Sequence, residues 1–204
     1  MIGIIDYGVG NIKAFENIYK RLGISCIRVN SVCDINSEIK KYILPGVGSF
    51  DHAMNKLRAS GLLPTLEVEI INKKKDVLGI CVGMQMLAHS SEEGNSPGLG
   101  WIEGEVKKLD VNKLNQKTHL PHMGWNSINK IEDPLFHNIP EEARFYFLHS
   151  YYFENKVNSN CMASVVYGDK FCCAVNTNNI YGVQFHPEKS HDNGIQLLKN
   201  YSNI

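Results

Sequence analysis

The chain has 204 residues and equal numbers of basic and acidic side chains, 21 of each, so its formal net charge at pH 7 is zero. A neutral chain offers no general basic field to nucleic acid or anionic membranes, and 43% hydrophobic with 21% charged residues is ordinary for a soluble globular protein. No apolar segment approaches the roughly 20 residues of a membrane span, and the amino terminus lacks a signal peptide's basic start. We expect a cytoplasmic protein with one domain over residues 1–204.

The cysteines and histidines bear on disulfides and metals. Without a secretory signal, six cysteines do not suggest a disulfide framework. There is no C-x-x-C pair, and the adjacent Cys172 and Cys173 point to opposite faces of a strand, which argues against zinc. His119 and His122 have H-x-x-H spacing, but they lie in a stretch that reads as irregular and lacks further ligands at suitable spacing. We therefore predict neither a metal site nor a cofactor.

Short apolar strands alternate with helical segments in the first part of the chain. Residues 2–5 are typical of a buried strand, and the apolar spacing over residues 12–22 predicts a helix that ends at Gly23. Further strands are predicted at residues 26–29 and 42–44. This alternation predicts βαβ units and a mostly parallel sheet, in which sites gather at the carboxyl ends of the strands.

The second half of the chain is richer in strand patterns. We expect an antiparallel addition to the sheet from alternating segments at residues 102–109, 127–131, 144–148, 162–166 and 172–176. A closing helix is predicted at residues 194–201. Residues 110–119, rich in Asn and Lys, are typical of an exposed loop.

One cysteine has the surroundings of a nucleophile. Residues 79–85, GICVGMQ, follow an apolar strand pattern and place a glycine two residues from Cys81 on each side. A tight strand-to-helix turn exposes a nucleophilic side chain when its neighbours lack a Cβ. Residues 84–88 have helical character, and a helix that starts after the cysteine would favour its thiolate form. A buried structural cysteine in a glycine turn is the alternative.

A histidine and a glutamate near the end of the chain could complete the catalytic set. Residues 181–190, YGVQFHPEKS, read as an apolar strand that ends at His186, where a proline breaks the pattern. His186 as base and Glu188 as its orienting carboxylate would form a Cys-His-Glu triad with Cys81. Taken alone, His186 could be a structural histidine and Glu188 a surface carboxylate paired with Lys189.

Together these motifs resemble a known family. GICVGMQ and the FHPE of residues 185–188 resemble the class I, or triad, glutamine amidotransferases. Supporting segments are IDYGVGN at 5–11, LPGVGSF at 44–50, PHMGWN at 121–126, FLHSYY at 147–152 and QFHPEKS at 184–190. Of these, GVGN, PGVGSF and HMGWN narrow the resemblance to the HisH type, the glutaminase subunit of imidazole glycerol phosphate synthase. The resemblance covers essentially the whole chain. It implies a flavodoxin-like, three-layer α/β fold with a mostly parallel central sheet and an antiparallel β-rich extension.

The resemblance also implies roles for individual residues. Cys81 would attack the carboxamide of L-glutamine, His186 would protonate the leaving ammonia, and water would release glutamate from a thioester. An oxyanion would be stabilised by the backbone N–H of Val82 and by the segment around Val47 and Gly48, where a peptide would have to reorient. Family positions that bind the substrate or line its pocket are held by Gln85, Glu93, His149, Ser150 and Tyr151. For Glu93, a charged helix end at residues 91–94 is an equal alternative.

A glutaminase needs a partner, because ammonia is useful only where an acceptor takes it up. By resemblance the partner is a HisF-like (β/α)8-barrel cyclase in a heterodimer. Trp125, Tyr146 and Lys189 match interface positions, and Asn11 matches a position linked to communication between the two sites. Trp125 could also be a core residue, but its apparently irregular segment favours partner contact.

Three functions remain open. The first is ammonia supply for imidazole glycerol phosphate and AICAR formation in histidine biosynthesis. The second is a HisH-like paralogue that supplies a sugar-amidating synthase of surface-polysaccharide synthesis, because residues 14–15 and 110–119 depart from the usual pattern. The third is an inactive regulatory or scaffold subunit of the same fold, against which the intact triad counts.

Overall fold

The computed structural model describes residues 1–114 and 120–204 of the chain. The strands are β1 (Ile2–Ile5), β2 (Cys26–Val29), β3 (Lys41–Gly46), β4 (Asp76–Cys81), β5 (Ser90–Ser91), β6 (Gly104–Lys108), β7 (His122–Ser127), β8 (Asn129–Lys130), β9 (Arg144–His149), β10 (Tyr151–Asn155), β11 (Cys161–Tyr167), β12 (Asp169–Thr177) and β13 (Ile180–Val183). The α-helices are α1 (Ile12–Leu22), α2 (Phe50–Ala59), α3 (Leu63–Glu67), α4 (Val82–Gln85) and α5 (His191–Asn203). A π-helical turn over Val68–Asn72 extends α3.

An eight-stranded sheet forms the centre of the molecule, in the order β2-β1-β3-β4-β13-β12-β11-β8. The five strands from β2 to β13 pair in parallel, and the remaining three pair antiparallel. Every residue of β1, β3 and β13 is buried. This confirms the predicted α/β fold with a mostly parallel central sheet, because strands covered on both faces read as continuous apolar runs.

The helices close over the sheet through buried aromatic residues. The α1 helix begins at an Asn11 cap and ends at Gly23, whose φ of 68° suits a helix terminator. Tyr19 on its buried face donates a hydrogen bond to the Leu198 carbonyl of α5. Tyr201 of α5 donates to the Tyr42 carbonyl of β3 at 2.7 Å. The predicted helices at residues 12–22 and 194–201 are therefore confirmed, the second within a longer α5.

The antiparallel extension differs from its prediction. The segments at 162–166 and 172–176 lie in β11 and β12 as expected, and β8 lies within 127–131. The segments at 102–109 and 144–148 do form strands, but the expectation that they join the main sheet is wrong. They belong to a three-stranded sheet, β10-β6-β5, and to the two-stranded β7-β9 ribbon. Alternation predicted the strands, but it carries no information about their partners.

Two further expectations need correction or restriction. The segment containing His122 and Trp125 was expected to be irregular, yet it is strand β7, because β9 supplies a full set of antiparallel partners. Cys161 and Cys172 form a disulfide between β11 and β12, with Cα atoms 5.8 Å apart, although no disulfide framework was expected.

Of the predicted loop at 110–119, residues 110–113 are exposed. His119 lies outside the described residues. Within residues 1–114 and 120–204, no helix is long and apolar enough to cross a membrane.

A pair of buried histidines holds the β7-β9 ribbon together. His122 and His149 are directly opposite each other, and His122 Nδ1 lies 3.0 Å from His149 Nε2. The His122 ring stacks between Phe147 and Tyr167. Burial lowers the pKa of His122 to about 4 and that of His149 to about 3, because an imidazolium loses its hydration there. Both rings are therefore neutral at pH 7.

We expect this pair to make the fold sensitive to mild acid. Between pH 6.5 and about 4 these histidines bind protons in the unfolded chain but stay neutral in the folded protein. The free energy of unfolding therefore falls as the pH falls through this window. From pH 7 to pH 5 the free energy of unfolding should drop by about 2 kcal/mol per histidine. Urea unfolding of His122→Phe, which keeps the stacking, should show a smaller drop than wild type. His52→Phe, on an exposed site of α2, is the control, and equal drops in all three proteins would contradict the prediction.

Candidate active site

The backbone at Cys81 has the conformation of a nucleophile elbow. Cys81 is the last residue of β4 and directly precedes α4, with φ 55° and ψ −113°. A positive φ is uncommon for a residue with a Cβ and costs on the order of 1–3 kcal/mol. Such strain at a strand-to-helix turn is the feature that presents a nucleophile in this motif.

The glycines around the elbow are required by close backbone contacts. A Cβ on Gly83 would lie 2.0 Å from the Leu44 carbonyl oxygen, and one on Gly79 would lie 2.7 Å from the Gly83 oxygen. A Cβ on Gly46 would lie 2.2 Å from the Gly83 nitrogen. The end of β3 and the first turn after Cys81 therefore touch backbone to backbone, which no other residue permits.

The helix after the nucleophile is shorter than predicted. Helical character was expected at residues 84–88, but α4 ends at Gln85, and the chain then turns towards β5. Met86, Leu87 and Ala88, the apolar residues that follow Gln85, are buried in the core but are not part of the helix. The first N–H groups of a helix have no acceptor within it, so this turn still presents the Val82 N–H beside the nucleophile.

His186 and Glu188 are in position to act with Cys81. His186 follows the end of β13, and its Nδ1 lies 2.8 Å from Glu188 Oε1, with both side chains almost fully buried. Burial would lower the pKa of His186, but hydrogen bonds and charge interactions with Cys81 and Glu188 outweigh it and raise that pKa above the ordinary value. These interactions favour the imidazolium form of His186 at neutral pH, which is the form that stabilises a neighbouring thiolate in a reactive Cys-His pair.

A buried serine fixes the loop that carries these two residues. Ser190 Oγ donates to the His186 carbonyl at 2.6 Å and accepts from the Tyr146 N–H at 3.0 Å. The His186 N–H in turn donates to the Tyr146 carbonyl at 2.8 Å. The histidine is thus tied to strand β9, which also carries residues of the substrate pocket.

A cavity of about 280 Å³ opens at the nucleophile. All of the residues predicted for the oxyanion site and for substrate binding line it, together with Cys81, His186 and Lys189. Its volume is near the lower end of the roughly 300–1,000 Å³ typical of ligand sites, which suits a small molecule.

A wider groove of about 770 Å³ beside Pro134 and Asn200 contains none of the predicted residues in its described lining. The described residues include no group of three or more His, Cys, Asp or Glu side chains that could hold a metal.

Glu93 and Gln85 reach the cavity from different elements. The alternative of a charged helix end at residues 91–94 is wrong, because Ser91 ends strand β5 and a turn follows. The Glu93 carboxylate accepts from the Phe50 N–H, at the start of α2, at 2.7 Å. Gln85 Nε2 donates to the Tyr151 carbonyl at 2.9 Å and to Gln184 Oε1 at 3.0 Å.

The loop after β1 contacts the predicted oxyanion segment. Tyr7 donates its hydroxyl hydrogen to the Pro45 carbonyl at 2.6 Å, and a Cβ on Gly10 would lie 2.6 Å from Pro45 Cβ. Gly48 has a φ of 85°, a region that glycine enters without strain. Asn11 is exposed, lies outside the cavity lining and accepts from the Ala14 N–H to cap α1.

The predicted partner residues form a surface beside the cavity. Trp125 on β7 is partly exposed, stacks on His191 with ring centroids 5.0 Å apart, and packs edge to face against Tyr146. Lys189 Nζ lies 5.7 Å from the centre of the Tyr146 ring. Exposed apolar side chains of Met123 and Leu148 belong to the same two strands. The core alternative for Trp125 is therefore wrong.

Sequence reasoning missed several polar residues that organise the site. Gln184 was part of a motif but received no role, and His122 was weighed as a metal ligand and discounted. Ser190 and Tyr7 were not singled out beyond their motifs. Each acts through a contact with a residue distant in sequence, such as the 99 positions between Gln85 and Gln184. Local patterns do not report such contacts.

Comparisons with known proteins agree with this geometry. The family model for Glutamine amidotransferase class-I matches residues 3–202. The chain is 50% identical to the imidazole glycerol phosphate synthase subunit HisH of Leptospira interrogans and 52% identical to that of Bdellovibrio bacteriovorus, with full coverage of both chains in each case. Subunit HisH 2 of Pseudomonas aeruginosa is 46% identical, with 98% of each chain covered.

Solved structures share the fold at low sequence identity. A crystal structure of a glutamine amidotransferase superimposes with a TM-score of 0.73 at 18% identity, covering 98% of each chain. The structure of PurLQS from Thermotoga maritima gives a TM-score of 0.71 at 16% identity, covering 99% of this chain and 97% of that one. With Cys81 at a strand-to-helix elbow, the His186–Glu188 pair in its cavity and a family match over nearly its whole length, the chain belongs to the class I glutamine amidotransferases, as a member of the HisH type.

Proposed function

We propose that this chain hydrolyses glutamine to glutamate and ammonia as the glutaminase subunit of an imidazole glycerol phosphate synthase. The ammonia passes to a HisF-like cyclase subunit, which forms imidazole glycerol phosphate and AICAR in histidine biosynthesis. The observation that carries the proposal is the cavity in which Cys81 and His186 meet the predicted substrate residues. The family match over residues 3–202 supports one amidotransferase domain.

Cys81 and His186 perform the two chemical steps. The Cys81 thiolate attacks the carboxamide carbon of glutamine, and the C–N bond breaks as the His186 imidazolium donates its proton to the leaving ammonia. The neutral imidazole then takes a proton from water, whose oxygen attacks the thioester carbon. Glutamate leaves, and the thiolate-imidazolium pair is restored. Glu188 holds the His186 ring through Nδ1 at 2.8 Å and stabilises its positive charge.

The substrate's amino-acid end is recognised by the polar residues at the far side of the cavity. Both N–H bonds of the Gln85 amide are occupied by Tyr151 and Gln184, so Gln85 offers its oxygen, which accepts from the α-ammonium group. Glu93 adds a negative charge for the same group. Ser150 and Tyr151 bring backbone groups to the pocket, and His149 supports them from behind.

The oxyanion is stabilised by backbone N–H groups on two elements. Val82 supplies one at the start of α4, and the segment of Val47 and Gly48 supplies the other after a peptide reorients. Gly48, with φ 85°, provides the freedom for this change. Gly46 does not, because its lack of a Cβ is required by contact with Gly83.

The cyclase subunit binds the surface formed by Trp125, Tyr146 and Lys189. This surface combines a large aromatic side chain with a cation and lies at the mouth of the cavity. Aromatic residues dominate binding energy at interfaces. Asn11, at the start of α1, belongs to the loop that contacts Pro45 and so connects the partner with the oxyanion segment.

The comparisons favour the histidine pathway over the two alternatives. The relatives at 46–52% identity over 98–100% of the chain are named as imidazole glycerol phosphate synthase subunits. An inactive scaffold has no chemical use for a buried, hydrogen-bonded His186-Glu188 pair beside a strained cysteine.

We expect the triad to be essential for glutamate release in the complex with the cyclase. Cys81→Ala should form no glutamate, because no other group supplies the nucleophile. Glu188→Gln should lower kcat about 10²–10⁴-fold, since the imidazolium loses its counter-charge. Glutamate release by the complex is the measurement, with partner binding checked in parallel. Glu141→Gln, at an exposed surface pair with Lys130, is the matched control and should be unaffected. Wild-type turnover in Cys81→Ala would remove Cys81 from the mechanism.

We also expect glutaminase activity to depend on the partner. The isolated chain should be nearly inactive, and the cyclase with its own substrate bound should raise kcat on the order of 10²–10³-fold, the value of one oxyanion donor. Glutamate release with and without the partner measures this. Trp125→Ala should weaken partner binding, whereas Ile131→Ala, an exposed apolar residue on the other groove, should not. Full activity of the isolated chain would disprove the gating mechanism.

A further inference from the structure

The main sheet places a buried glutamine beside the nucleophile. Strand β13 runs parallel to β4 with Val183 opposite Ile80, so the next residues on the two strands, Gln184 and Cys81, are neighbours. Gln184 is completely buried, and its N–H donates to the Cys173 carbonyl at 2.8 Å. Its side chain is therefore fixed on the nucleophile's side of the sheet edge.

The side chain of Gln184 contacts the reacting sulfur. Its Nε2 lies 3.7 Å from Cys81 Sγ, and its Oε1 accepts from Gln85 Nε2 at 3.0 Å. The same Gln85 nitrogen donates to the Tyr151 carbonyl at 2.9 Å. A carbonyl oxygen only accepts, so Gln85 must turn its NH₂ group towards Tyr151 and Gln184. Gln184 must then turn its oxygen to Gln85 and its NH₂ group to the sulfur.

The two buried histidines continue this chain in the opposite direction. The Tyr151 carbonyl also accepts from His149 Nδ1 at 2.8 Å, which leaves His149 Nε2 as an acceptor for His122 Nδ1 at 3.0 Å. His122 Nε2 then faces Asn126 Nδ2 at 3.4 Å. Since burial keeps both rings neutral, each has one donor and one acceptor, and every link has a defined direction. This chain from β7 holds the Tyr151 carbonyl, and that carbonyl sets the orientation of the Gln85 and Gln184 amides.

We propose that Gln184 is a catalytic residue that donates a hydrogen bond from Nε2 to the thiolate sulfur of Cys81. The inference rests on the proposed glutaminase function and adds a residue to that same site. His122 and His149 act as positioning residues, because they hold the Tyr151 carbonyl that orients Gln85. The Gln184 amide is uncharged and does not titrate, so it can donate to the sulfur both when His186 is protonated and when His186 is neutral.

This donor acts at both steps of the reaction. Before attack it stabilises the thiolate, together with the His186 imidazolium. During hydrolysis of the thioester the C–S bond breaks and its electron pair returns to sulfur, which the same N–H group stabilises as a leaving group. Hydrogen bonds to a charged atom are roughly twice as strong as neutral ones. A value on the order of 1.5–3 kcal/mol corresponds to a rate effect of about tenfold or more.

The test measures alkylation of Cys81 by iodoacetamide in the full-length chain, without partner or glutamine. Gln184→Met keeps the length of the side chain but has no donor. Gln184→Glu keeps the acceptor for Gln85 and places a carboxylate oxygen at the sulfur. Peptide mass spectrometry follows Cys81, with the exposed Cys33 thiol as an internal reference. Gln196→Met and Gln196→Glu, on α5, are the matched controls.

With alkylation followed across pH, we expect the midpoint pH for Cys81 to rise in Gln184→Met and to rise further in Gln184→Glu, while Cys33 and both Gln196 variants react as wild type. In the complex, Gln184→Met should lower kcat for glutamate release and leave KM within about twofold. Thermal unfolding establishes which variants are folded, and one folded variant is sufficient for the test. An unchanged alkylation midpoint in either folded Gln184 variant overturns the proposal. A raised midpoint in a chain whose wild-type complex releases no glutamate would instead reject the glutaminase function and retain the contact.

Discussion

The close contact between the end of β3 and the turn after Cys81 is the constraint on which the site depends. Gly83 lies against the Leu44 carbonyl so closely that one added carbon would be 2.0 Å from it. This contact sets the distance between the nucleophile and the segment of Val47 and Gly48. It also keeps Cys81 at a positive φ, since the chain cannot relax without separating the two strands. The parallel register with β13 then brings Gln184 and His186 to the same edge.

The fold and the segments that carry the proposed catalytic residues were largely predictable because their signals are local. The apolar spacing of α1 and its Gly23 terminator, the short buried strands and the glycines around Cys81 can each be recognised within a dozen residues. The motif around His186 is equally local, and the resemblance to a family joined it to Cys81. The prediction failed where pairing over distance decides the structure.

The β7-β9 ribbon illustrates this limit. The sequence around Trp125 is interrupted by Pro121 and Gly124 and shows no clear alternation of apolar and polar residues. It nevertheless forms strand β7, because β9 pairs with all six of its residues. The Cys161–Cys172 disulfide and the contact of Gln184 with Cys81 have the same origin, since each requires a register between strands. Such registers depend on which faces are buried in the assembled fold, and a single strand does not contain that information.

The site contains one protonated histidine, His186, and two neutral histidines, His122 and His149. His186 carries its proton because Cys81 and Glu188 are next to it, whereas His149, which lines the same cavity, is kept neutral by burial. A second imidazolium would repel the first and would also remove the acceptor that His122 needs at His149 Nε2. The neutral state of the histidine pair therefore keeps a second positive charge away from His186 and preserves the hydrogen bond between the two rings.

Two routes connect the proposed partner surface with the chemistry, and their physical properties differ. One runs from Asn126, next to Trp125, through the two histidines to Gln184, and its links are buried or partly buried hydrogen bonds with a defined direction. The other runs from the loop of Asn11 to Pro45 and ends at Gly48, whose backbone can change conformation without a steric penalty. Coupling between sites requires an element with two states, and Gly48 on the second route has the backbone freedom for such an element. We infer that partner binding acts on the oxyanion segment, and that the groups holding the sulfur stay in place throughout.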